Sequence, residues 1–270
     1  MRSKLVFELQ YLGNAFAGWQ PQPNERSVHD VFAAALSNAG ITDCGAVAAG
    51  RTDRGVNAAH QVVSVRSDAD RSDEDLSALL RDVSAALPGD VRVMTCRRAP
   101  TTFHAITSAR SKRYAYYLGF SDDAARYAWP APPGLDVGRV RRGAALLVGE
   151  RDFRAFCAPG GRKCGSTVRR LRAVDVEFLE AAELPFVGRV RGLLRIAFDG
   201  DGFLKHQCRK MVGALVRLGT GALSEAQVAA ALADPRGAHP AVSSRRFAAP
   251  ARGLWLERVD CAWDEAAHPS

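Results

Sequence analysis

The sequence predicts an α+β fold made of two similar halves. Three observations carry that expectation. Strand-like alternation recurs, first in KLVFELQY (4–11) and later in QVVSVRS, VRVMTCRRA, RYAYYLGF and LLRIAFDGDGF. Between these lie segments that open on Ser or Asp and continue with apolar residues at helical spacing. Gly- and Pro-rich stretches punctuate the joins. The order suggests two ferredoxin-like βαββαβ halves, each laying helices on one face of a mostly antiparallel sheet. Halves joined edge to edge would leave a central catalytic cleft between their uncovered faces, a natural place for a ligand.

The elements can be justified in turn. The N-terminal half, residues 1–105, opens with the strand at 4–11 and a loop rich in Gly, Pro and Asn. Ser27 is a good N-cap for VHDVFAAALSNAG. A short extra strand is expected around 45–50, then the segment ending in QVVSVRS. Ser72 caps DEDLSALLRDVSAAL, which Pro88-Gly89 stops, and VRVMTCRRA follows as a strand. The C-terminal half, residues 106–270, begins with RYAYYLGF (113–120). Asp136 caps VGRVRRGAALLVG, a basic Gly-rich loop runs from Ala158 to Arg170, and two strands follow. KHQCRKMVGALVRLG reads as a long helix, SEAQVAAALAD as a shorter one, and GLWLERVDCAW as the closing strand.

Composition narrows the function classes. Apolar residues make up 47% and charged residues 24% of the 270, which suits a globular core. Thirty-seven Lys and Arg against 29 Asp and Glu give a net charge of +8, most of the cations being Arg. Guanidinium groups fork onto phosphate, so a polyanionic partner such as RNA is the first expectation. The six cysteines form no CxxC pair, which speaks against a zinc site and for free thiols. There is no apolar run of transmembrane length and the N-terminus lacks a signal-peptide core, so a soluble cytoplasmic protein is expected.

Three stretches could carry chemistry. In GRTDRGVNAAHQVVSV (50–65), Asp53 lies between Arg51 and Arg54. A carboxylate kept ionised by neighbouring guanidinium groups can act as nucleophile or base, and an ordinary Arg–Asp pair is the structural alternative. In SARSKRYAYYLGF (108–120), cations precede Tyr114, which shares a strand face with Tyr116. Such a face suits base stacking beside phosphate contacts, or simply a core. In FLKHQCRKMVG (203–213), His206, Arg209 and Lys210 gather at a helix start, where anions bind well and where a solvated basic face is equally natural. No P-loop, HExxH, GxSxG or GxGxxG is present, and no cofactor or metal is called for.

The chain resembles the tRNA pseudouridine synthase A family. Five blocks in the family's order carry the likeness: YLGNAFAGWQPQPNERSV, GRTDRGVNAAHQVVSV, FHAITSARSKRYAYYL, FLKHQCRKMVG and APARGLWL. The resemblance implies a cofactor-free isomerase that detaches a uracil in RNA, turns it and reattaches it through carbon. It implies Asp53 as the catalytic carboxylate, Arg209 as its partner and Tyr114 against the target base. Arg51 would help to hold the flipped nucleotide. Phe103, His104, Lys163, Arg169, His206 and Leu254 fall on substrate-contacting stretches. It further implies tRNA as partner, positions 38–40 of the anticodon arm as target, and a homodimer. GVN at 55–57 and KHQCRK in the helix block depart from the bacterial pattern of GVH and HHMVRN. A silent RNA-binding protein of the same fold is the main rival, and a hydrolase using Asp53 with His206 a weaker one.

Overall fold

The computed structural model describes residues 3–67, 71–158, 165–234, 239–240 and 242–263, Ala125 and Arg245 without their side chains. The fold is α+β with mostly antiparallel strands. It divides into two compact units, one of Met1–Ser111 with Leu256–Ser270, the other of Lys112–Trp255.

In the first unit, β1 (Ser3–Tyr11) lies between β3 (Asn57–Ser67) and β4 (Val91–Ala99), antiparallel to both, and the two-residue β2 (Val47–Ala48) edges β3. Phe7 faces Val63 on one side and Cys96 on the other. Its ring meets Phe32 of α1 (Val28–Asn38) edge-on at 5.3 Å, which fixes that helix on the sheet. The expected caps form. Ser27 Oγ accepts from the Asp30 amide, and Ser72 with Asp75 makes a capping box on α2 (Asp73–Ala86). Part of the closing strand, Leu256–Cys261 of β10 (Leu254–Cys261), belongs to this unit, where the Val259 amide donates to His60 Nδ1 at 3.1 Å.

In the second unit the order is β5 (Ala109–Gly119), β9 (Gly188–Gly200), β8 (Val168–Leu184), β7 (Gly149–Asp152), all antiparallel neighbours. A short β6 (Trp129–Pro130) runs parallel to β5. Asp136 caps α3 (Val137–Leu146), which packs on α4 (Gln207–Gly219), and Ser224 caps α5 (Glu225–Ala233) with a capping box. Three differences from the sequence reading have local causes. β7 is four polar residues, GERD, that pair only because β8 lies beside them. β8 and β9 run longer than their alternation shows, since they close on each other through a tight turn with Phe186 and Gly188 at positive φ. α4 starts at Gln207 rather than Lys205 because His206 takes a left-handed φ of 62°.

Candidate active site

Asp53 is placed by a loop-on-loop contact inside the first unit. The segment 13–19 lies along 50–57: Trp19 N donates to Thr52 O at 3.0 Å, Gly55 N to Phe16 O at 3.3 Å, and Gly13 N to Asn57 Oδ1 at 2.8 Å. Gly18 and Asp53 bridge backbone to backbone. The approach needs glycine, since a Cβ on Gly13 would sit 2.1 Å from Val56 O and one on Gly18 2.6 Å from Thr52 O. Val56 N returns to Asp53 O at 3.1 Å with Gly55 at a φ of 76°, so Asp53 heads a tight turn, half-buried. Arg54, which its position suggests as a partner of Asp53, is bound to Glu25 instead, and Arg51 is exposed. Behind the turn, Tyr11 Oη meets Thr52 Oγ1 at 2.8 Å and Gln61 reaches Tyr11 and both backbone groups of Gly50.

The second unit gathers the other motif blocks. On β5, Tyr114, Tyr116 and Tyr117 are all buried. Tyr114 packs edge-on against Phe203 at 5.1 Å. Tyr116 donates to Pro250 O at 2.8 Å, and its ring lies where a Cβ on Gly253 would be 2.7 Å away. Burial pushes the Tyr116 phenol up, with Arg209 and Arg252 pulling it back. Tyr116 and Tyr117 are core, and Leu254 is buried beside Trp255. At the start of α4, Gln207 Oε1 accepts from Leu204 N at 2.8 Å, and His206 gives the helix no side-chain cap. Arg209 is clamped twice to Ala249: its Nε donates to Ala249 O at 2.7 Å and its carbonyl accepts from Ala249 N at 2.9 Å. That uses one of five guanidinium donors.

Lys210 overturns the picture of a solvated basic face. Only 1% of it is exposed, and its ammonium donates to Ala155 O, Cys157 O and Ser243 O at 3.3, 3.0 and 2.7 Å. Of the remaining candidates, Phe103 is buried and stacked on Trp263 at 5.0 Å and 5°. His104 is half-buried with its Nδ1 unpartnered among the described residues. Arg169 turns back onto Ser166 O and Val168 O, and Lys163 lies outside the described residues. Among the described residues the cysteines are free thiols and no cluster of His, Cys, Asp or Glu is arranged to hold a metal. Cys164 is outside them.

Comparison with known proteins decides the family. A family model described as tRNA pseudouridine synthase matches residues 144–260. The tRNA pseudouridine synthase A of Chromobacterium violaceum is 39% identical over 236 residues, covering 85% of this chain and 84% of its own. That of Bordetella petrii is 35% identical over 95% of this chain and 91% of its own, and that of Variovorax paradoxus 34% over 81% and 78%. The chain belongs to the tRNA pseudouridine synthase A family.

Within a tRNA pseudouridine synthase A chain, the motif blocks quoted above acquire physical partners. YLGNAFAGW and GRTDRGVN form one loop pair. The Asn57 of GVN is 5% exposed and accepts the Gly13 amide, so that departure serves the loop pair. KRYAYY, KHQCRK and APARGLWL meet around Tyr116, Arg209 and Pro250. Sequence reasoning missed Tyr11, Thr52 and Gln61, and read Lys210 as part of a basic helix start rather than as a buried residue. Each lies in a quoted block, but the polar side chains give no local sign of being buried.

Proposed function

We propose that this protein isomerises uridine to pseudouridine in tRNA. The single strongest support is the identity to tRNA pseudouridine synthase A enzymes along nearly the full length of both chains. In the reaction the C1′–N1 bond breaks, the uracil turns, C1′–C5 forms, and the C5 proton is lost while N1 gains one. Asp53 is the catalytic carboxylate, the residue whose turn is built by the surrounding loop contacts. By the family resemblance, Arg209 has the role of its partner, Tyr114 packs on the target base, and Arg51 holds the extruded nucleotide. The pocket and flanking contacts come from Leu254, His206, Phe103, His104, Lys163 and Arg169. The target base must leave its stack before a carboxylate can reach its glycosidic bond, at a cost of a few kcal/mol.

The default targets are positions 38–40 of the anticodon arm, the working form is a homodimer, and the compartment is the cytoplasm. No helix among the described residues is long and apolar enough to cross a membrane. The net charge of +8 supports a phosphate-rich partner.

The test is to incubate the protein with unmodified tRNA transcripts and map pseudouridine at single-nucleotide resolution, with Asp53→Asn in parallel. Product at 38–40 with the wild type, and none with Asp53→Asn despite undiminished tRNA binding, is the expected result. Product elsewhere moves the target. Binding without product by the wild type makes the protein a silent RNA binder.

A further inference from the structure

We infer that a buried hydrogen-bond relay, Gln61–Tyr11–Thr52, positions Asp53 for catalysis, so that these three side chains set the rate through the geometry of the carboxylate. The inference rests on the assignment of Asp53 above.

The direction of the relay follows from counting donors. The Gly50 amide can only donate, and it meets Gln61 Oε1 at 3.3 Å; the Gly50 carbonyl can only accept, and it meets Gln61 Nε2 at 2.7 Å. Gly50 therefore fixes which end of the Gln61 amide is oxygen. The second Nε2 hydrogen points to Tyr11 Oη at 3.3 Å, so the tyrosine accepts there. Its own proton is left for Thr52 Oγ1 at 2.8 Å. The chain thus runs from Gln61 through Tyr11 to Thr52 and grips the catalytic segment at Gly50 and at Thr52, the residue before Asp53.

All three side chains are excluded from water, Tyr11 and Gln61 with no exposure and Thr52 with 6%. Burial pushes the Tyr11 phenol up to about 12, so it is a neutral donor throughout the working range. In a dry site each lost partner leaves the next one unsatisfied, so the relay has one satisfied arrangement. The outer face of the same segment is held by Trp19 N on Thr52 O and by the Gly18 bridge to Asp53. Backbone on one side and the relay on the other leave the Cα–Cβ direction of Asp53 little freedom. Carboxylate placement matters steeply, since a shift of about 1 Å can cost on the order of a hundredfold in rate.

The experiment measures kcat, KM for tRNA and melting temperature for Tyr11→Phe, Thr52→Val, Thr52→Ser and Asp53→Asn. Tyr11→Phe keeps the ring and Thr52→Val keeps the shape, each removing one hydroxyl. The expected result is that both lower kcat by about tenfold or more with KM unchanged. Thr52→Ser, which returns the accepting oxygen, should recover most of that loss. The inference is overturned if Tyr11→Phe and Thr52→Val melt earlier yet turn over at the wild-type kcat below their melting range, which would make the relay a stability element alone. An inactive Asp53→Asn beside a fully active Tyr11→Phe sinks the relay and leaves the assignment of Asp53 standing. An active Asp53→Asn overturns both.

Discussion

Lys210 illustrates how burial redefines a residue. An ammonium removed from water is costly, and here three backbone carbonyls replace the lost hydration. Lys210→Met keeps much of the volume but strands those carbonyls. It is expected to lower unfolding free energy by about 3 kcal/mol, read by urea denaturation, because unmade buried hydrogen bonds carry their full desolvation cost. A loss below about 0.5 kcal/mol would show that the ammonium contributes nothing net. Glu8 in the first unit makes a pH prediction. The neighbouring His60 is the largest cause holding its carboxyl below the usual value, with Arg97 also helping and burial opposing. Arg97 lies 2.6 Å from one oxygen and His60 3.7 Å from the other. A lowered folded pKa means that this contribution is complete above the unfolded value near 4.5 and is lost as pH falls through the folded value. Glu8→Gln should therefore flatten the fall in melting temperature between about pH 5 and 3; an unchanged slope would remove Glu8 from the account.

Among the elements, α4 carries the sharpest expectation. A Cβ on Gly213 would lie 1.7 Å from Phe247 O. Alanine is the better helix former by about 1 kcal/mol, but a backbone oxygen cannot rotate away as a side chain can. Gly213→Ala is expected to destabilise by about 2 kcal/mol, measured as a lower urea midpoint. It should also reduce turnover, because the displaced stretch leads to Ala249, the partner of Arg209. A midpoint at or above the wild-type value would contradict the close packing. The caps behind several elements were readable in advance: Ser27, Ser72 and Asp136 all stand where the apolar period begins. A cap and the turn it serves are three residues apart, so the signal is local. β7 and the start of α4 were not readable, since GERD pairs through β8 and His206 bends the chain against its intrinsic preference.

For the molecule as a whole, the charge of +8 makes a solution prediction. If phosphate contacts dominate, tRNA affinity should fall by at least about tenfold between 50 and 200 mM salt, read by filter binding. A flat profile would move the recognition from phosphate to base contacts. Most strands and helices and several helix caps could be named from the sequence, because periodicity is written along the chain, whereas Asp53 stood out only by its place between two arginines and by family resemblance. What the tertiary structure decided is which polar groups are dry. Gln61, Tyr11 and Lys210 look like surface or strand residues in one dimension, and only distant partners at Gly50, Thr52, Ala155 and Ser243 give them their places. Burial depends on what other segments bring to a point in space, and no local pattern encodes that.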